Sequence, residues 1–129
     1  MIRSLGGMSI LVVEDEFIIG LMLCNEIAGA GATSIGPVTS VADALKEIAS
    51  RIVDAVILDA KLADSSGADL AGCLEERRIP YVVISGYNKA DLPIGLRGAP
   101  FVAKPISLPL LMDAIEGWRP LPSGTCRPG

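Results

Sequence analysis

Glu14, Asp15 and Glu16 stand side by side where the apolar run LVV ends. Side chains on a strand alternate between faces, so Glu14 and Asp15 cannot both be ordinary solvent-facing residues of one regular segment. Carboxylates held a few ångströms apart raise one another's pKa unless a cation intervenes. Three more residues belong to the same question: Asp59 closes VILD, Ser85 closes VVIS, and Lys104 follows FVA. Oxygen ligands with little nitrogen or sulfur nearby favour Mg²⁺, an ion that prefers carboxylates and phosphate oxygens and keeps several waters. With such an ion among Glu14, Asp15 and Asp59, a phosphoryl group arriving beside Asp59 would be steadied, and Ser85 and Lys104 could hold its remaining oxygens as charge develops. Asp59 is then a nucleophile that gives an aspartyl phosphate.

These residues lie far apart in the chain, so the fold must supply elements that gather them. The pattern predicts five strands alternating with helices. Ile10 to Val13 reads as a strand covered on both faces, and Phe17, Leu21, Cys24 and Ala28 repeat at helical spacing until Gly29 and Gly31. Thr33 to Val38, with Gly36 and Pro37, suits a sheet edge. Ser40 has the look of an N-cap, with Asp43 three residues on and Val41, Ala44, Leu45 and Ile48 on the apolar face of the helix. Ala55 to Leu58 forms the third strand, and Leu70, Cys73 and Leu74 mark a short helix weakened by Gly72. Tyr81 to Ile84 and Phe101 to Ala103 complete the strands. Ser107 caps a last helix with Pro109 in its first turn and Leu108, Leu111, Met112 and Ile115 on its buried face. Such alternation specifies a parallel sheet with helices on both faces, and ligands in these sheets sit beyond the carboxyl ends of the strands. Glu14, Asp15, Asp59, Ser85 and Lys104 all fall at such ends. Taken singly, each has a commonplace structural reading as a cap, a turn residue or a solvated cation. Bland, independent events have no reason to choose acids, a hydroxyl and a cation at neighbouring strand ends.

Composition excludes other classes. A chain of 129 residues, 50 % hydrophobic, fits one domain with a sizeable core. Its formal charge of -4 argues against direct nucleic-acid binding through a basic face. Cys24, Cys73 and Cys126 are odd in number and far apart, which suggests neither a disulfide framework nor a zinc site and fits the reducing cytoplasm. No run is long enough to span a membrane. The absence of histidine removes histidine acid-base catalysis, Ser-His-Asp triads and histidine metal ligands together.

In order along the chain, LVVEDE, VILDAKLADSSG with Gly67 eight residues after Asp59, VVISGY and FVAKPIS resemble the receiver domain of bacterial two-component response regulators, over about Met8 to Trp118. The resemblance implies a flavodoxin-like sheet of order 2-1-3-4-5. It also implies phosphoryl transfer onto Asp59 from a sensor histidine kinase or phosphotransfer protein, with Glu14 and Asp15 holding Mg²⁺ and the Lys61 backbone carbonyl completing the ligands. Ser85 matches the switch hydroxyl, Phe101 the switch aromatic, and Lys104 the phosphoryl-contacting lysine, followed by a cis bond to Pro105.

Two departures qualify the match. Ala63 stands where the family usually has a proline. Between Ser85 and Lys104, GYNKADLPIGLRGAP is too rich in Gly and Pro for a full helix, so the helix that ordinarily joins the fourth and fifth strands should be short or absent. ISGY is similar to the Phe-Ala-Thr-Gly-Tyr signature of an alphaproteobacterial single-domain subfamily. Gly86 would leave room for a donor phosphohistidine, and Tyr87 could screen Asp59 from hydrolytic water. Residues 1–7 read as an N-terminal extension without structure, 8–118 as the receiver, and 119–129 as a flexible tail. The expected function is a phosphoacceptor that signals by binding an as yet unnamed downstream protein, rather than an enzyme. The competitors are a catalytically silent interaction module and a receiver cut from a longer hybrid kinase or regulator. An aspartate-nucleophile phosphatase would need a second Asp two residues from the first, and a flavin carrier would need a Ser/Thr/Gly-rich loop after strand one; residues 14 to 20 supply neither.

Overall fold

The structure is a computed structural model that describes residues 5–62, 67–86, 100–104 and 106–116. The strands are β1 (Ser9–Val13), β2 (Thr33–Val38), β3 (Ala55–Asp59), β4 (Tyr81–Ser85) and β5 (Phe101–Ala103), and the helices are α1 (Phe17–Gly29), α2 (Val41–Ser50), α3 (Gly67–Glu76) and α4 (Leu108–Glu116). All paired strands run parallel, in the order β2-β1-β3-β4-β5. This is the doubly wound arrangement that the alternating pattern predicts.

Period-two alternation divides each strand between two cores. Ile10, Val12, Ile57, Val82, Ile84 and Val102 pack on one face with Leu23 and Ile27 of α1 and Leu111 of α4. Leu11, Val13, Val56, Leu58 and Val83 pack on the other with Ala44 and Ile48 of α2 and Leu70 and Leu74 of α3. Every residue of β3 is buried, which is why its sequence shows no polar face before Asp59. Full burial of one aliphatic side chain is worth about 1.5–3 kcal/mol, so moving the sheet register by one residue would exchange the two cores and forfeit many such terms.

Local signals fix the ends. Ser40 Oγ accepts from the Asp43 backbone N–H at 3.1 Å, as its N-cap pattern predicts. In β2, Leu11 pairs with Ile35 but Val13 pairs with Val38, so β2 carries an extra residue there. Gly36 absorbs it at φ 100°, with the Val12 carbonyl oxygen 2.8 Å from where a Cβ would stand. Gly20 lets α1 lie against this edge: a Cβ on it would be 2.5 Å from Pro37 Cβ. At the other end, the Leu111 N–H donates to the Ser107 carbonyl at 3.0 Å, which starts α4 where Ser107 is expected to cap it.

Two expectations are corrected. The buried face of α1 is Gly20, Leu23, Cys24 and Ile27, whereas Phe17 is 55 % and Leu21 42 % exposed, and Ala28 is also exposed. Apolar residues occur all around this helix, so periodicity alone could not orient it; the approach of Gly20 to Pro37 does. Leu5, inside the segment expected to lack structure, is fully buried. Its N–H donates to the Ala30 carbonyl at 2.7 Å, which ties that residue under the C-terminus of α1. Ala63, Tyr87, Pro105 with its expected cis bond, the 87–99 stretch expected to lack a full helix, and everything after residue 116 lie outside the described residues.

Candidate functional site

Strand register assembles the site. Val13 lies opposite Leu58, Asp59 opposite Ile84, and Ser85 opposite Ala103. Glu14 and Asp59 therefore share one row at the carboxyl edge of the sheet, with Ser85 one residue and Lys104 two residues beyond it. Backbone bonds extend the ladder past the strands: Ala60 N–H donates to the Ile84 carbonyl at 3.0 Å, and Lys104 N–H to the Ser85 carbonyl at 2.8 Å. Glu14 is fully buried and Asp59 and Ser85 nearly so, while Asp15 is half-buried and Glu16 exposed. That gradation answers the crowding of three adjacent acids, because each takes a different depth.

Lys104 is the counter-charge. Its Nζ stands 3.0 Å from Glu14 Oε1 and donates to it, and it lies 3.4 Å from Asp59 Oδ2 and 3.9 Å from Glu16 Oε1. Burial alone would lower the lysine's pKa, but the hydrogen bond to Glu14 and the charges of Asp59 and Glu14 outweigh it and hold the amine protonated. One lysine cannot neutralise so many carboxylates. Burial, followed by the hydrogen bonds with Asp15 and Glu14, pushes Asp59 up to about 8. Asp15 moves the other way, held low chiefly by its hydrogen bond with Asp59, whose carboxyl keeps the proton. The Lys61 backbone N–H donates to Asp59 Oδ1 at 3.1 Å and fixes the carboxyl's direction.

The donor set fits a hard divalent cation. Glu14, Asp15 and Asp59 each offer an oxygen, all within 4.8 Å of one another. Among the described residues Glu14 Oε2 is buried with no hydrogen-bond partner, an arrangement whose cost a cation would remove. Beside them opens a cleft of about 260 Å³, reached by Glu16, Lys61, Ser85 and Gly86.

The sequence pattern of the family described as "Response regulator receiver domain" matches residues 10–116. The chain belongs to that family. The receiver is 30 % identical over 114 residues to the swarming motility regulation protein RssB of Serratia marcescens, a match that takes in 84 % of this chain and 52 % of that protein; the chain thus spans about half the length of its curated relative. Among solved structures it resembles SdrG of Sphingomonas melonis, at 30 % identity and TM-score 0.75, covering 86 % of this chain and 95 % of the other. It also resembles a CheY-like receiver domain from Methylobacillus flagellatus, at 27 % identity and TM-score 0.76, covering 87 % and 98 %. TrrA of Thermotoga maritima, solved with Mg²⁺ and BeF, shares the fold at 24 % identity and TM-score 0.77, covering 87 % and 99 %.

The receiver brings Glu14, Asp15, Asp59, Lys61, Ser85, Gly86 and Lys104 together, the set expected from the strand ends and the motifs. Phe101 lies one strand outward on the edge strand β5, half-buried against the α2–α3 core rather than in the cleft. Glu16, to which the strand ends and motifs assign no task, also lines the cleft; its place directly after the paired acids is the signal for it in the sequence. Among the described residues no helix is long and apolar enough to cross a membrane.

Proposed function

We propose that this receiver accepts a phosphoryl group on Asp59 from a sensor histidine kinase or phosphotransfer protein and passes the signal on by binding another protein. The observation that carries this is the position of Lys104 Nζ, bonded to buried Glu14 and 3.4 Å from Asp59, beside three converging carboxylates. Glu14, Asp15, Asp59 and the Lys61 carbonyl would hold Mg²⁺, which when bound neutralises charge on the transferring group. An Asp59 oxygen, oriented by the Lys61 N–H on its other oxygen, attacks phosphorus as the donor's P–N bond breaks and its electron pair leaves on the imidazole nitrogen. Lys104 exchanges its grip on Asp59 for a phosphoryl oxygen, and the Ser85 hydroxyl donates to a second. Movement of Ser85 toward that oxygen would draw Phe101 inward across the β4–β5 pair, where Ser85 faces Ala103, and so change the outer face.

The receiver unit is proposed to run over 8–118, with the residue 5 contact as an added tie, and 119–129 to act as a tail. The ISGY stretch supports placement in the Phe-Ala-Thr-Gly-Tyr subfamily. Gly86 is exposed and, among the described residues, a Cβ on it would meet nothing within 4 Å, which favours room beside Ser85 for a phosphohistidine. Gly86→Leu should slow transfer without unfolding the domain, and an unchanged rate would remove this role. Tyr87 is assigned to screening Asp59 from water; Tyr87→Ala should shorten the phosphorylated lifetime. Phe17, Ile18, Leu21 and Met22 form an exposed apolar strip on α1 next to the acids, suited to an apolar partner helix rather than to nucleic acid. On this reading the chain is a phosphoacceptor, not a turnover enzyme, and works in the cytoplasm, where Cys24 and Cys73 stay as free thiols.

Incubation with a small acyl phosphate and Mg²⁺, followed by intact-mass measurement, tests the proposal. One added, acid-stable and base-labile phosphoryl group is expected, absent in Asp59→Ala. A receiver that gains no mass is a silent interaction module.

A further inference from the structure

Glu16 is the acid of the opening trio to which neither the fold nor the magnesium ligands give a task. Its place is fixed from behind: its backbone N–H donates to Glu14 Oε1 at 3.2 Å, and it takes the extended conformation that precedes α1 without its side chain capping the helix. The side chain is therefore left to the solvent, 63 % exposed, with Oε1 3.9 Å from Lys104 Nζ at the cleft that also holds Asp59, Ser85 and Gly86. Lys61, lining the same cleft, contributes a second cation. An exposed carboxylate adds little stability, but its charge sits where a phosphodonor must enter and its leaving group must depart.

We propose that Glu16 sorts phosphodonors by the charge of their leaving group, favouring nitrogen-linked phosphoryl donors over acyl phosphates. The proposal rests on Asp59 being the phosphoacceptor. In either transfer an Asp59 oxygen forms the new P–O bond while the donor's bond to phosphorus breaks and its electron pair leaves with the donor atom. From a phosphoramidate or a phosphoimidazolium the departing nitrogen already bears its proton and leaves as neutral amine or imidazole; its positive charge before cleavage is attracted to Glu16. From an acyl phosphate the pair leaves on oxygen, and a carboxylate is released facing another carboxylate. Glu16 also competes with the phosphoryl oxygens for Lys104, but that cost is common to both donors and cancels in their ratio.

The test compares the parent with Glu16→Gln, and measures the labelling rate by intact mass with phosphoramidate and with acetyl phosphate at the same Mg²⁺ concentration. Unit charges several ångströms apart at a wet surface change a rate by roughly three- to tenfold, so the phosphoramidate-to-acetyl-phosphate ratio should fall by about that factor. Glu16→Asp, which keeps the charge, should keep the parent ratio. The gap between parent and Glu16→Gln should narrow as salt rises from low to about 1 M, where the screening length is roughly 3 Å. A Glu16→Gln ratio equal to the parent's, a gap insensitive to salt, or Glu16→Asp behaving as Glu16→Gln would each overturn the assignment. Failure of both donors to label the parent would instead bring down the phosphoacceptor reading, and this proposal with it.

Discussion

Replacing Asp59 with asparagine should make the metal-free protein more stable at neutral pH, against the usual effect of altering a buried residue. The ordinary carboxyl value is 3.8, and in the folded chain Asp59 is pushed up to about 8, first by burial and then by Asp15 and Glu14. At about pH 7 the unfolded chain ionises this group freely while the folded chain must hold it protonated. Each pH unit between the two conditions is worth about 1.4 kcal/mol, so the site opposes folding by at most about 4 kcal/mol there. Relaxation of the cluster reduces that, and a gain of about 2 kcal/mol on conversion to asparagine is a conservative expectation; a domain of this size then melts roughly 6 °C higher. The sign follows from the raised value. The neutral carboxyl's contribution is fully present below 3.8 and is lost as pH rises through about 8. Parent and Asp59→Asn should thus melt together near the lower value and separate progressively toward the upper one. Thermal melts in excess chelator across that range supply the measurement. A separation independent of pH, or a parent more stable than the variant at neutral pH, would refute the account of the acidic cluster.

The same cluster predicts that Mg²⁺ stabilises the parent, by about 2.7 kcal/mol at a hundred times its dissociation constant, and Asp59→Asn distinctly less; equal shifts in melting would separate the metal from Asp59. Lys104→Met leaves the fully buried Glu14 without its cation and should lower stability by about 1–3 kcal/mol in urea titration, with Mg²⁺ restoring part of it. Gly20→Val drives a branched side chain into Pro37; chemical denaturation should show a loss of about 1–3 kcal/mol, and parent-like stability would mean that α1 does not need this approach.

The alternation of strands and helices, the Ser40 cap, and the placing of Glu14, Asp59, Ser85 and Lys104 at strand ends are legible in the residues alone, because each depends on residues within a few positions of one another. Continuous apolar runs such as VILD also declared that β3 would be covered on both faces. The depth of each acid was beyond it. Glu14, Asp15 and Glu16 are chemically alike and adjacent, and only the register of β1 against β3 buries the first, half-buries the second and exposes the third. The orientation of α1 escaped for a related reason: apolar residues surround it, and the face that packs was chosen by the fit of Gly20 to Pro37, a contact made across a strand. Leu5 gave no periodic signal; it packs into the core on the α1 face of the sheet, tied by its N–H to the Ala30 carbonyl and by its own carbonyl to the Met8 N–H. Above all, the meeting of Lys104 with Glu14, ninety residues away in the chain, is a product of crossover topology, which no local pattern encodes and which alone turns four strand ends into one electrostatic site.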